Sequence, residues 1–489
     1  MAIRFNLNTN PASLKWMYAI CFVFIALNAA IISQGWWWSL LIPAGLLIAL
    51  FCTFSLDKLL FLAVFLTPLS VSLEHLDFGT SISLPAEPLM LLLSTIFIIQ
   101  QLYKGDYDTK AILHPITILV LINLIWMALT SITSDLPLVS FKYLVSRIWF
   151  LVPFYFFSIS VFRNFENIKR FLWMYIIPLI LVIGYASFGL IRTGFDEELS
   201  QSVMTPFYPS HTAYGAIIAM FLPFVFTHVL TKEKTRLMKV AGLFVLFCFC
   251  FAILFSYSRA VWVSLPAALG LYLLIIFKIK VRTVLIAIFV IVGFLVLNKE
   301  QIMIALEKNK QDSSEEFVEN FQSISNISTD DSNTERINRW SSAIAMFKER
   351  PIFGWGPGTY QFKYAPFQLS KNMTLISTNA GDLGNAHSEY IGPLSESGLL
   401  GGVSFLLIAI YSLYIGIRLY LNAKREEVRF LSLSVVLGLS TYFIHGFLNN
   451  YLDTDKASVP FWGFIAIITA LDIYHSKNPG HTDRDYPKG

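Results

Sequence analysis

Apolar stretches long enough to cross a lipid bilayer recur along most of this chain, and no other feature limits its fold as strongly. A helix needs about 20 predominantly apolar residues to traverse the hydrocarbon core. Runs of that kind lie near 14–33, 36–54, 58–73, 84–102, 112–132, 141–162, 169–191, 211–230, 240–257, 260–277, 282–298, 399–418, 429–447 and 457–474, the third of them short. Only 14% of residues are charged, against about 25% in ordinary globular domains, so a soluble fold could not clothe its surface. In lipid each segment must satisfy its own backbone polar groups, which favours helices. The expectation is an all-α polytopic membrane protein with about 12–14 transmembrane helices. The first run follows Arg4 and Lys15 without a small-x-small cleavage site, and reads as a retained span. A formal net charge of +4, with no basic tail, gives no support to nucleic-acid binding. Cys21, Cys52, Cys248 and Cys250 all fall in apolar runs, which indicates neither a disulfide framework nor a zinc site.

Lys and Arg in short loops set orientation. They cluster at Lys104 and Lys110, at Arg163, Lys169 and Arg170, at Lys232, Lys234, Arg236 and Lys239, at Lys278, Lys280 and Arg282, and at Arg418, Lys424, Arg425 and Arg429. Neighbouring clusters are separated by an even number of runs, so all of them, and both termini, can be cytoplasmic. The chain then divides into a bundle over 1–298 with about 11 spans, a large outer loop over 299–389, helices over 390–475 and a cytoplasmic tail over 476–489. The first half of the loop is acidic and rich in Ser and Asn, and Asp330-Asp331 within it reads as solvated, not as a metal site. The second half has the spacing of an amphipathic helix followed by a Gly/Pro/aromatic turn.

The outer face collects cations at span ends. Lys142 and Arg147 lie one to two turns inside the sixth run, Arg192 closes the seventh, His211 opens the eighth, and Arg259 occupies the hairpin after the ninth. Arg336, Arg339, Arg350 and His387 belong to the large loop. A cation at mid-bilayer costs about 2.5–3.5 kcal/mol, so an intramembrane Arg faces a cavity or a partner. Lys142 and Arg192 are close enough to the interface to snorkel, whereas Arg147 reads as facing a cavity. His211 also suits a helix cap in Ser-His-Thr, and His228 and His445 read as packing residues. The planar fork of Arg binds phosphate oxygens with two hydrogen bonds, which suits a lipid diphosphate and needs no metal. His387 ends the loop where the chain re-enters the membrane, and imidazole is well matched to proton removal near neutral pH. Gly398, Gly401 and Gly402, just beyond it, offer small faces for close helix approach.

Three stretches together resemble the O-antigen ligase/O-antigen polymerase superfamily of bacterial envelope glycosyltransferases, the ligase type above all. SYSRAVWVSL at 256–265 is similar to that family's Ser-Arg hairpin. RWSSAIAMFKERPIFGWGPGTYQFKY at 339–364 is similar to its Trp…Arg-Pro-x-x-Gly-x-Gly-x-Gly element. His387-Ser388, nine residues, then Gly398-Leu-Leu-Gly401 resembles its His-(Asn/Ser/Gln)-x9-Gly-x-x-Gly pattern.

The resemblance implies a fold of the membrane glycosyltransferase type C kind. It implies metal-independent, inverting transfer of an undecaprenyl-diphosphate-linked O-antigen glycan onto lipid A-core, with no cofactor, at the periplasmic face of the bacterial inner membrane. Carried over by motif, His387 would be the catalytic base and Arg259 a diphosphate ligand, with Arg339 a weaker match. Arg147 joins the diphosphate ligands from topology, and His211, Arg336 and Glu389 are candidates for support. Repeat-unit polymerases and protein O-oligosaccharyltransferases share the superfamily. Polymerases often carry paired Arg-x10-Gly signatures in two outer loops. Of the outer-side arginines only Arg259 has a glycine, Gly270, eleven positions on, so the pair is incomplete. A secondary transporter is the reading from a different class, disfavoured by the absence of a convincing internal repeat.

Overall fold

The computed structural model describes residues 11–35, 55–72, 82–230, 235–279, 331–370 and 384–476, with positions 45, 48, 51, 52, 282, 283, 286, 373 and 377. Most of the apolar runs near 36–54 and 282–298, the acidic stretch 299–330, the tail beyond 476 and the basic residues Lys232, Lys234 and Lys280 lie outside the described residues. The helices are α1 (Pro11–Ser33), α2 (Leu56–Leu66), α3 (Ala86–Lys104), α4 (Pro115–Ile132), α5 (Pro137–Val161), α6 (Phe165–Arg192) and α7 (His211–Leu230). They continue with α8 (Arg236–Leu254), α9 (Arg259–Ile276), α10 (Asp331–Glu349), α11 (Ile391–Asn422), α12 (Glu426–Leu448) and α13 (Asp455–His475).

The chain is an all-α polytopic membrane protein. Ten helices among the described residues, α3–α9 and α11–α13, are long and apolar enough to cross a bilayer. The run at 58–73 is a correction to the sequence reading. Its helix, α2, has only 11 residues, about 16 Å at 1.5 Å per residue, because Pro68 sits in a 3-10 turn that follows directly. A two-residue antiparallel pair, β1 (Val71–Ser72) with β2 (Ser83–Leu84), then returns the chain to α3.

Local chemistry sets the helix ends. Pro115 and Pro137 open α4 and α5 at the position where a missing N–H costs nothing. Asn164 caps α6 by accepting from the Glu166 N–H at 3.1 Å, and Gly105 closes α3 with φ 61°. Pro153 lies in a π-helical bulge, Val152–Phe157, within α5. α12 and α13 are the central helices, 78% and 83% buried, whereas α8 and α9 are 28% buried each. α12 packs on α7, α9 and α11, and α11 on α4 and α10.

Two of the basic clusters are paired with acids and with each other's neighbours at one end of the bundle. Arg163 contacts Asp108 at 3.1 Å, Lys169 contacts Glu427 at 3.2 Å, and Arg418 holds Asp472 with bonds of 2.7 and 2.8 Å. At the other end, the start of α13 is tied to the end of α2. Lys456 Nζ donates to the Thr67 and Ser70 carbonyls and pairs with Asp455 at 3.2 Å, and Ser70 Oγ donates to the same carboxylate. Both charged side chains are buried. Lys456→Ala strands Asp455 and is expected to lower stability by about 3–5 kcal/mol, read from thermal unfolding in detergent.

Candidate functional site

At the end of the bundle opposite the basic clusters, α11 is broken. Gly398 has φ 67° and ψ −166°, a conformation no L side chain adopts comfortably, with helix on either side. A break inside a helix frees carbonyls that must be paired again. The Gly-rich element does this: Trp355 N–H donates to Ser395 O at 3.1 Å and Gly356 N–H to Glu396 O at 2.8 Å. Trp126 Nε1 donates to Ser397 O at 2.7 Å, and Leu399 N–H returns to Pro351 O at 2.9 Å. Space explains the glycines. A Cβ on Gly398 would lie 2.0 Å from Ile352 O, and one on Gly356 1.9 Å from Ser134 Oγ. This corrects the expectation that the glycines after His387 serve helix–helix approach, because Gly398 instead receives another loop's backbone. Arg350 completes the clamp by stacking on Trp355 at 3.9 Å and pairing with Asp135.

Beneath this junction lies a cavity of about 610 Å³, walled by α4, α5, the start of α11, the segment 357–362, the segment 385–389 and the loop 450–453. A volume of that size is ordinary for a ligand site. It is mixed in charge: Lys142 and Arg147 face Glu87, Glu389, Glu396 and Asp453. Arg147 lies almost three turns from the Pro137 end of α5, deeper than its sequence position suggested. Its NH1 donates to Leu452 O at 3.2 Å, and its NH2 to Tyr143 OH at 2.7 Å and to Asp453 at 3.2 Å. Glu396 Oε1 accepts from the Tyr360 N–H at 3.0 Å. Glu389 is buried and uses one oxygen three times, accepting from Tyr442 OH at 2.8 Å, Tyr451 N–H at 2.7 Å and Leu452 N–H at 2.9 Å. Burial, and after it the nearby Asp453 charge, push the Glu389 carboxyl up to about 7, against the pull of its donors and Arg147.

The remaining residues singled out in the sequence stand on the other face of segment 385–389. Arg336 lies within electrostatic reach of His211, His387, His445 and Tyr451. His211 Nδ1 contacts Ser256 O at 2.7 Å, which brings the turn carrying Arg259 to the same region. Arg339 is committed within the protein: it pairs with Glu335 at 2.6 Å, donates to Asn385 O at 3.1 Å and lies over the Tyr364 ring. It thereby holds the loop that carries His387. The His387 backbone is left-handed, with φ 46°. Burial first, then the charges of Arg339 and Arg336, hold its imidazole down to about 3. His228 packs edge-on against Trp173, and His445 against Tyr451. Neither ring nitrogen of the buried His445 has a partner among the described residues.

Residues 243–406, about a third of the chain, match the family described as O-antigen ligase. That match supports the resemblance to the O-antigen ligase superfamily. An uncharacterised protein of Haemophilus influenzae is 23% identical over 328 residues, which span 64% of this chain and 75% of that protein.

The O-antigen ligase match runs from α8 through the Ser-Arg turn, α10, the Gly-rich element and His387 into α11 beyond its break. It omits α5, α12 and the loop 449–454, which supply Arg147, Tyr143, Tyr442, Tyr451 and Asp453 to the cavity and its wall. Of these, sequence reasoning reached Arg147 alone. Applied to acids, the rule that singled out intramembrane arginines also finds Glu87, an ionisable group in the run at 84–102, whereas Glu396 lies just before the run at 399–418. Tyr143 and Tyr442 give no such signal, because a tyrosine in a span reads as packing, and Tyr451 stands in a short loop without a motif.

Proposed function

We propose that this protein transfers a glycan from an undecaprenyl-diphosphate donor onto a sugar hydroxyl of lipid A-core, at the periplasmic face of the inner membrane. The observation that carries the reading is the junction of two superfamily elements over one cavity. The Gly-rich element docks into the break of α11, and the His387 segment forms the adjoining wall. Two described spans separate Asp108 from Arg163, and two separate Arg418 from Asp472, which supports a cytoplasmic basic end and a periplasmic cavity. Arg147 and Arg259 are proposed as diphosphate ligands, with Arg336 and His211 beside them. The segment Asn385–Glu389, which carries His387, receives the proton of the acceptor hydroxyl. Inverting transfer then needs one attack on the anomeric carbon while the diphosphate leaves against fixed positive charge.

The test is transfer by the purified, reconstituted full chain with a defined lipid-diphosphate-linked oligosaccharide donor. Three acceptors are offered separately: lipid A-core, a second lipid-linked glycan and a Ser-rich peptide. Glycosylated lipid A-core is the expected product. Product from the second lipid-linked glycan alone overturns the ligase reading in favour of a polymerase, to which the single Arg259–Gly270 spacing also points. Product from the peptide alone assigns protein glycosylation.

A further inference from the structure

The wall segment 385–389 has two faces, and its two titratable side chains, His387 and Glu389, are divided between them. Asn385, Ala386, Ser388 and Glu389 line the cavity, and His387 does not. The left-handed backbone at His387 takes its imidazole out of that row, toward α10 and the guanidinium groups of Arg336 and Arg339. A proton taken up there would create a third positive charge beside two fixed ones, in a mostly buried place where charge repulsion is strong.

Glu389 has the opposite surroundings. Three donors converge on its Oε1 and hold the carboxylate in one orientation, while the backbone N–H of the same residue is anchored to Gly446 O at 2.8 Å. Its second oxygen, Oε2, makes no hydrogen bond among the described residues, and the side chain borders the cavity. A base needs this arrangement: one oxygen for orientation and one within reach of the proton to be removed. The charged and titratable groups around it are Arg147 from α5, Tyr442 from α12, Tyr451 and Asp453 from the loop before α13, and Tyr390 of its own segment. Lys142 and Glu396 border the same cavity.

We infer that Glu389, rather than His387, accepts the proton of the acceptor hydroxyl. The inference rests on the transfer reading given above. The acceptor O–H bond breaks and its proton passes to Glu389 Oε2. The acceptor oxygen forms its bond to the anomeric carbon, the bond from that carbon to the diphosphate oxygen breaks, and its electron pair leaves on the diphosphate. Glu389 then returns the proton to water. His387 stays neutral on the arginine face throughout.

The two assignments differ in the acid limb of the rate profile. A carboxyl at about 7 must ionise before it can accept, so activity rises through neutral pH. An imidazole at about 3 is already neutral there, and its limb lies far below. The experiment is the single-turnover transfer rate of the reconstituted full chain against pH, with the lipid-diphosphate-linked donor and lipid A-core, for wild type, Glu389→Gln, Glu389→Asp and His387→Asn. Donor binding and thermal unfolding are measured in parallel. Glu389→Gln is expected to lose about 10²–10⁴-fold in rate, with donor binding within about threefold, and to lose the limb near pH 7. Glu389→Asp keeps a limb at a lower rate and covers the case in which the Gln variant folds poorly. His387→Asn keeps the limb near 7, whatever its remaining rate. A Glu389→Gln enzyme within threefold of wild type, or a limb that survives in it and disappears in His387→Asn, overturns the inference and leaves the transfer reading standing. A folded wild-type chain that transfers to no acceptor at any pH overturns the reading itself, and the assignment of Glu389 with it.

Discussion

Gly398→Ala is expected to leave little correctly folded protein, and Gly356→Ala to do almost the same. A methyl group at 398 would lie 2.0 Å from Ile352 O and 2.5 Å from Ile352 C, both backbone atoms that no rotamer change can move. At 356 it would meet Ser134 Oγ at 1.9 Å and Ser134 Cβ at 2.4 Å, on a backbone with φ 112°. Relief requires the Gly-rich element to lift from α11, which unpairs the Ser395 and Glu396 carbonyls and the Leu399 N–H together. Each buried polar group left unpaired costs about 1–3 kcal/mol, so the loss should exceed about 4 kcal/mol, the range reserved for named structural failures. Thermal unfolding in detergent reads it, alongside transfer activity. Gly270→Ala is the control: Gly270 lies inside α9 with nothing within 4 Å of its new Cβ, so melting should be unchanged or slightly raised. A Gly398→Ala protein that melts with wild type would mean that the break in α11 does not organise this end of the molecule.

That junction also marks how far the sequence could be read. The all-α polytopic class was legible because long apolar runs leave the backbone almost no alternative in lipid. The amphipathic helix of the large loop was legible from its period, and the order of the three elements pointed to the superfamily that the family match supports. The fate of 58–73 was not legible. Hydropathy counts apolar residues and is blind to Pro68, which ends α2 after 11 residues. Nor was the role of Gly398: periodicity reports one helix face, whereas this glycine answers to the carbonyl of Ile352, far away in sequence. The division of the site was hidden for a similar reason. His387 and Glu389 are two residues apart, the sequence reading put His387 first as the base and Glu389 in support, and the left-handed backbone at His387 separates their surroundings. Besides Tyr143, the partners of Arg147 come from a loop more than 300 positions away, and Leu452-Asp453 shows no pattern of its own.

Asp453→Asn is expected to tighten donor binding while moving the acid limb of transfer to lower pH. Arg147 is the cause of the first effect. Its NH2 is shared between Tyr143 and Asp453, so a donor diphosphate must displace a carboxylate to gain the fork. The Asp453 side chain is 46% exposed while that of Arg147 is 9% exposed, so the carboxylate swings into water readily and the cation cannot. Removing the competing charge should lower the donor Kd by about three- to tenfold, since a partly exposed pair is worth roughly 1 kcal/mol, and the gain should shrink with salt. The second effect comes through Glu389. The Asp453 charge helps to hold that carboxyl up at about 7, so its loss lowers the pKa and transfer persists into more acidic solution. Arg147→Ala has the opposite sign for the donor. It leaves the Leu452 carbonyl with Ser458 Oγ as its remaining donor and removes the deepest cation of the cavity, which should cost about 2–5 kcal/mol in donor binding, roughly 30-fold or more. Arg147→Lys should recover little, because an ammonium cannot span Leu452 O, Tyr143 OH and a phosphate oxygen as the planar fork does. Equilibrium binding of the lipid-diphosphate-linked donor separates these cases without any chemistry. If Asp453→Asn weakens binding, the Arg147–Asp453 pair is a structural brace, and the diphosphate belongs with Arg259 and Arg336 on the far side of the wall.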